Sequence, residues 1–237
     1  MTPSNLEILA YEDSPLGPLC LRRRELLSMP GTVVTEVTLN HEFLMSSYYT
    51  VSEVALARLA LDAHEGTELK VLVGGLGLGY TAHAALESPR VAEVVVVELL
   101  PQVVEWLERG LLPLSDALAA QPRLRIETGD FFARMAAAPA ERFDLILVDI
   151  DHAPDQHLDT ANAPFYTRAG LERVRAHLAP GGVLSVWSSA DSPPFREALE
   201  ESFAEVRVES VSFFNEMVHE EATDWIFLAR DGAEDGR

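Results

Sequence analysis

The chain has 237 residues, with 38 Asp and Glu against 18 Lys and Arg and a formal net charge of −20. Nucleic acid and anionic membrane surfaces both repel so acidic a chain, so neither is expected as a partner. The one cysteine, Cys20, excludes an intramolecular disulfide and a zinc site built from cysteines.

The length suits one large domain with a small appendage. No run of about 18 apolar residues occurs, and the segment from Met1 to Asp13 does not read as a signal peptide, so a cytoplasmic protein is expected. Up to about Ser47, short apolar runs (Leu6–Tyr11, Leu16–Arg22, Thr32–Leu39 and Phe43–Met45) alternate with turn residues. Val33, Val34, Val37 and Thr38 are β-branched, and the pattern predicts an antiparallel β appendage over residues 1–50. Such a unit buries little core alone, so it must pack on the rest of the chain or on a second subunit. A homodimer is therefore expected.

From Val51 to residue 230 the pattern changes to alternating helix and strand. A helix starts at Val51. Strands follow at Lys70–Val73, Val94–Val97, Leu124–Glu127, Phe143–Val148, Val183–Trp187, Val206–Val211 and Trp225–Ala229. Between them the spacing predicts helices over Thr81–Glu87, Pro101–Arg109, Phe131–Ala138, Pro164–Leu178 and Pro194–Phe203, the fourth stopped by Pro180-Gly181-Gly182. Residues 231–237 read as a frayed tail. The alternation predicts an α/β fold: a doubly wound, mostly parallel seven-stranded sheet with helices on both faces.

Chemistry concentrates at the strand ends. After the first parallel strand comes Gly74-Gly75-Leu76-Gly77-Leu78-Gly79, with glycines where a chain turning into a helix must approach a ligand closely. Glu98 ends the next strand, nineteen positions after Gly79, where an acid can accept from both hydroxyls of a ribose. Gly75-x-Gly77-x-Gly79 is tighter than the dinucleotide spacing and favours an S-adenosylmethionine-type nucleoside, which has no pyrophosphate to cradle. Asp130 either accepts from an adenine amino group or caps the following helix, while Phe131 or Leu99 covers a ring face.

The run Phe143–Val148 delivers Asp149 to the sheet edge, followed by Asp151, His152 and Asp155. Carboxylates converging there can bind an ammonium group and take a proton from it, and His152 is an alternative base. Nothing enforces a metal-ligand geometry, and no metal is expected. Tyr48 and Tyr49, just before the first helix, either wall a pocket or pack the appendage, and Thr50 or Ser52 caps that helix. Trp106, Trp187 and Trp225 lie inside regular elements and read as core.

With the glycine turn, Val97-Glu98, Gly129-Asp130, Phe143–Asp149, Pro164-Phe165-Tyr166 and Ala179-Pro180-Gly181-Gly182, the chain from about Leu16 to Trp187 resembles the spermidine synthase (polyamine aminopropyltransferase) family. The resemblance implies a class I methyltransferase-like core with a small N-terminal β domain, and decarboxylated S-adenosylmethionine as donor. It implies that Glu98 holds the ribose, Asp130 lies at the adenine and Asp149 helps deprotonate the attacking amine. The acceptor is then a di- or polyamine, with Asp151 as a second ammonium anchor and Tyr48, Tyr49, Glu53, His152 and Asp155 on the acceptor side. The family's acid in the glycine turn is replaced by Leu78. Its Asp-x-x-Asp-Pro loop reads Asp149-Ile150-Asp151-His152-Ala153, and its Tyr before Gln-Glu matches Val51, before Ser52-Glu53. Leu78 favours an alternative, an S-adenosylmethionine-dependent methyltransferase on the same frame. A non-catalytic nucleoside-binding protein is a third reading, opposed by the intact Asp149 beside the intact nucleoside motif.

Overall fold

The computed structural model describes residues 5–216 and 219–231. The N-terminal segment is a four-stranded antiparallel sheet in sequential order: β1 (Leu6–Ser14), β2 (Gly17–Glu25), β3 (Val33–Leu39) and β4 (Glu42–Ser46). It packs on the rest of the same chain. Leu19, Leu21, Val37 and Leu39 share one apolar cluster with Leu76, Leu100 and Val103. Two polar ties reinforce this docking: the Trp106 indole donates to Glu12 at 2.9 Å, and Gln102 donates to the Asp13 carbonyl at 2.8 Å.

Helix α1 (Val51–Asp62) leads into the large sheet. Its strands are β5 (Leu69–Gly74), β6 (Val91–Glu98), β7 (Leu124–Thr128), β8 (Phe143–Val148), β9 (Leu178–Ser188), β10 (Glu205–Asn215) and β11 (Glu220–Arg230). They form a seven-stranded sheet in the order β10-β11-β9-β8-β5-β6-β7. The five from β7 across to β9 run parallel, and β11 runs against them, pairing antiparallel with both β9 and the edge strand β10. Side chains alternate across the pleat, so Val71, Val73, Leu145 and Leu147 enter one core while Leu72, Ile146 and Val148 enter the other. That two-sided burial is why these strands carry almost no polar residue. The chain moves outward from β5 to β7 and then returns to β8 on the far side of β5. This reversal leaves a crevice above the carboxyl ends of β5 and β8.

The connecting helices are α2 (Tyr80–Leu86), α3 (Pro101–Glu108), α4 (Ser115–Ala119), α5 (Phe131–Ala136), α6 (Arg168–His177) and α7 (Pro193–Ser202). The sequence did not suggest α4. The expected helix over Pro164–Leu178 is two elements. A 3-10 turn at Thr160–Tyr166 contains Pro164, and α6 starts afresh with Thr167 as its cap, its hydroxyl accepting from the Gly170 N–H at 3.2 Å. Pro180-Gly181-Gly182 lies inside β9 and does not stop a helix; Gly181, at φ +75°, takes the conformation an L side chain disfavours. Of the expected tail, Asp231 receives the Arg175 guanidinium at 2.9 Å, and residues 232–237 lie outside the described residues.

The junction of turn and helix is tight. A Cβ at Gly170 would stand 2.1 Å from the Pro164 carbonyl oxygen and 2.6 Å from that of Phe165. Gly170→Ala should therefore destabilise the fold by about 1–3 kcal/mol through overpacking against backbone, read as a lower urea midpoint with an unchanged m-value.

Candidate active site

The glycine turn follows β5 and caps α2. Gly75, Gly77 and Gly79 all have positive φ, at +89°, +53° and +93°. At Gly75 the requirement is also steric, because a Cβ would meet the Asp149 carbonyl oxygen at 2.4 Å. Gly75 lets β5 and β8 emerge side by side, with the Asp149 N–H donating to the Gly74 carbonyl at 3.0 Å.

Two pockets meet at this crossing. The β6-side pocket is walled by Gly75, Gly77, Glu98, Leu99, Asp130, Phe131 and Phe132, with Leu158 and Asn162 opposite. The β11-side pocket is walled by Tyr49, Glu53, Gly79, Tyr80, His152, Trp187, Phe213 and Asp224. Leu44 and Met45 of β4 contribute to both, so the small sheet roofs the site. Asp149 also lies in both walls and is the ionisable side chain they share.

Glu98 is 8% exposed, and its two oxygens accept from the backbone N–H groups of Leu76 and Leu100, each at 2.8 Å. Burial pushes its carboxyl above the usual range, and the backbone N–H groups of Leu100, Leu76, Gly77 and Leu99 pull it back. A carboxylate has about four lone-pair sites. With one bond to the Leu76 N–H of the glycine turn and one to the Leu100 N–H after β6, the remainder can still accept from a vicinal diol. Glu98 thus shapes the turn as well as facing the pocket. Asp130 does cap α5, its Oδ1 accepting from the Ala133 N–H at 3.0 Å, and it also lines the pocket. Phe131 is buried beneath Gly74, where a Cβ would touch its ring at 2.8 Å. The better placed ring covers are Leu99, 46% exposed, and Phe132, which the sequence did not single out.

On the other side the electrostatics are unusual. Burial pushes the Asp149 carboxyl up to about 6, the Thr81 hydroxyl draws it down through a 2.7 Å hydrogen bond, and Asp224 raises it. Burial, Asp149 and Asp224 together push Glu53 up to about 8. Asp224 is itself raised by burial, against the pull of Ser52 and Trp187. These carboxyls crowd one another in a pocket lined by Tyr49, Tyr80, Trp187 and Phe213, with no Lys or Arg among the described residues of its wall. Such a site favours a cation, which relieves the repulsion and faces aromatic rings.

Several expectations change. Gly79 lies in the β11-side wall, away from the β6-side pocket. Asp151 does not face either pocket. It is 2% exposed and accepts from the Leu158 N–H, the Asn162 amide and the Tyr166 hydroxyl. His152 is the one facing the acceptor side. Asp155 is exposed and takes the Ser192 hydroxyl at 3.3 Å. Tyr48 donates to the Met29 sulfur at 3.1 Å and packs edge-on against Tyr49, outside the pocket wall. Tyr49 lines the pocket and is pinned by Asn215 at 3.1 Å and the Glu216 N–H at 2.6 Å. Trp187 is pocket wall as well as strand, whereas Trp106 is fully buried. Thr50 makes no capping bond, and Ser52 donates to Asp224. Thr81 and Asp224 were missed by sequence reasoning, because their significance depends on contacts 68 and 172 positions away.

No protein-family model matches the chain. Over 123 residues it is 33% identical to putrescine N-methyltransferase 2 of Nicotiana tabacum, covering 50% of this chain and 33% of that one. Polyamine aminopropyltransferase 2 of Streptomyces coelicolor is 32% identical over 130 residues, covering 54% and 23%. The enzyme of the same name from Pseudomonas aeruginosa is 27% identical over 194 residues, covering 76% and 53%. The matches therefore span a quarter to about half of these relatives' lengths. In structure, a spermidine synthase in complex with the transition-state analogue AdoDATO superposes with a TM-score of 0.75 at 19% identity, over 96% of this chain and 74% of that one. The fold is that of spermidine synthase. The Thermotoga maritima spermidine synthase agrees, with a TM-score of 0.72 at 18% identity over 96% and 73%. On this spermidine synthase fold, the Asp149 crossing stands where the strand order reverses.

Raised carboxyls make stability depend on pH. Glu53, at about 8 in the folded state against 4.5 ordinarily, holds its proton on folding. Its contribution is intact below about pH 4.5 and is lost as pH rises through about 8. Glu53→Gln, which fixes the neutral form, should match the parent's Tm below pH 4.5 and exceed it by several degrees at pH 9. An equal Tm at pH 9 would show that Glu53 is not raised. Glu98→Ala strands two buried N–H groups at a cost of about 1–3 kcal/mol each, and should abolish nucleoside binding, measured by calorimetry.

Proposed function

We propose that the chain is a transferase that moves an aminopropyl group from decarboxylated S-adenosylmethionine to a di- or polyamine. The observation that carries this reading is Asp149, shared by a pocket suited to a nucleoside and a pocket suited to a cationic amine. The names of the aminopropyltransferases from Streptomyces coelicolor and Pseudomonas aeruginosa, and the spermidine synthase fold, support it.

The residues of the β6-side pocket fit the donor: Glu98 toward the ribose, Asp130 toward the adenine amine, and Leu99 and Phe132 against the ring. When bound, the donor supplies a sulfonium, an electrophile whose leaving group needs no further activation. The chain's own task is positioning and desolvation. Glu53 and Asp224 hold one ammonium of the acceptor, with Tyr49 and Trp187 as walls. Asp149 takes the proton from the attacking amine, and a carboxyl at about 6 suits that role near neutral pH. The amine nitrogen forms a bond to the carbon beside sulfur, the carbon–sulfur bond breaks, sulfur keeps the electron pair, and methylthioadenosine leaves. Thr81 holds Asp149 in place through its 2.7 Å hydrogen bond.

Leu78 lines the β11-side pocket without charge and favours a second reading, methyl transfer from S-adenosylmethionine to the same class of amine. The match to putrescine N-methyltransferases supports it too. A cytoplasmic location belongs to the same proposal, as does a homodimer, for which the exposed Ile8, Tyr11 and Val33 on the small sheet are the support.

Mass analysis of the nucleoside product decides between the two. Incubation with either donor and a panel of amines should give methylthioadenosine with the decarboxylated donor. S-adenosylhomocysteine instead identifies methyl transfer, and no product with either donor sinks both readings. Asp149→Asn should lower kcat by about 10²–10⁴-fold with methylthioadenosine affinity within about twofold; retained turnover removes Asp149 from the mechanism.

A further inference from the structure

Asp151 is a buried carboxylate beside the site that the mechanism above leaves unused; Glu36, also buried, is ion-paired with Arg22 and Arg24 on the small sheet. Asp151 is 2% exposed, and no Lys, Arg or His is among its hydrogen-bond partners. Instead it gathers three neutral donors from one loop: the Leu158 N–H at 2.7 Å, the Asn162 amide at 2.9 and 3.2 Å, and the Tyr166 hydroxyl at 3.0 Å. Burial and the neighbouring Asp151 hold the Tyr166 hydroxyl well above its ordinary range, so it remains a donor. Desolvating a carboxylate is costly, and hydrogen bonds from neutral groups offset that cost only while all of them stay in place. The arrangement therefore ties the loop tightly to one point.

Two of the ties end at the β6-side pocket and the third reaches it through a neighbouring ring. Leu158 and Asn162 line it directly. Tyr166 packs against Phe132, with ring centroids 6.2 Å apart, and Phe132 lines it too. On the other side Asp151 is two residues from Asp149, and the intervening Ile150 faces both pockets. We propose that Asp151 is a positioning residue that clamps the 157–166 loop as the outer wall of the nucleoside pocket and fixes that wall relative to Asp149. The proposal rests on the reading of the β6-side pocket as the nucleoside site. It replaces the expectation that Asp151 anchors an ammonium.

The test combines hydrogen exchange on the free protein with nucleoside affinity and steady-state kinetics. In Asp151→Ala, amides of residues 156–162 should exchange at least about tenfold faster, as expected when a buried hydrogen-bonded network opens. The methylthioadenosine Kd should rise by a similar factor, about tenfold, while the amine KM at saturating donor stays within about twofold. Tyr166→Phe keeps the ring packing and deletes one tie, so it should give a smaller change in the same direction if Asp151→Ala does not fold. Asp151→Asn, which keeps the size and one acceptor oxygen but presents a donor NH2 in place of the other, should restore part of the affinity. Methylthioadenosine affinity and exchange both unchanged in Asp151→Ala would overturn the clamp. A rise in amine KM with unchanged nucleoside Kd would also overturn it, returning Asp151 to the acceptor. If the parent protein binds no methylthioadenosine, the nucleoside reading fails by itself, and the exchange rates alone uphold or overturn the clamp.

Discussion

The site depends on how closely the ends of β5 and β8 can approach. At the reversal of strand order the two chains leave the sheet side by side, and the Asp149 carbonyl oxygen occupies the space a Cβ would need at Gly75. A side chain there would push the strand ends apart, and Asp149 would leave the junction of the two pockets. Glu98 reinforces the same crossing from β6 by accepting from the Leu76 and Leu100 N–H groups. The turn that lines the β6-side pocket and the strand that delivers Asp149 are thus held by backbone geometry, with few adjustable side chains between them.

Around that crossing the two pockets have opposite characters. One is walled by apolar groups and by acids whose oxygens are partly occupied with backbone donors. The other crowds Glu53, Asp149 and Asp224 among aromatic rings, with His152 but no Lys or Arg among the described residues of the wall. Burial first, and then the crowding of like charges, raise Glu53 to about 8 and Asp149 to about 6, so that in the free protein a proton relieves the strain. A cationic ligand does the same work and displaces that proton. The charge of −20 says little by itself, but these carboxyls turn a general tolerance of cations into a specific place for one.

Much of this was legible in the sequence because it is local. The glycine spacing, the strand-end Glu98 and the apolar run ending at Asp149 each announce a turn or strand end within about ten residues. What could not be read depends on distant partners. Asp224 matters because β11 carries it beside Ser52 and Glu53, and Thr81 because α2 aims it at Asp149. The choice between Asp151 and His152 was equally hidden, since an irregular loop has no period to say which side chain points inward. Pro164 misled for a related reason: it reads as a helix start, yet it sits in a 3-10 turn because the Thr167 cap restarts the helix three residues later.

The central claim is that the crowded carboxyls of the β11-side pocket receive the cationic acceptor beside a bound nucleoside. Calorimetric titration of a diamine into the methylthioadenosine-saturated protein at pH 7, in two buffers of different ionisation enthalpy, tests it directly. Binding should release about one proton, as Glu53 gives up the proton that stood in for the ligand. Binding without proton release, or no binding of the diamine at all, would contradict the account.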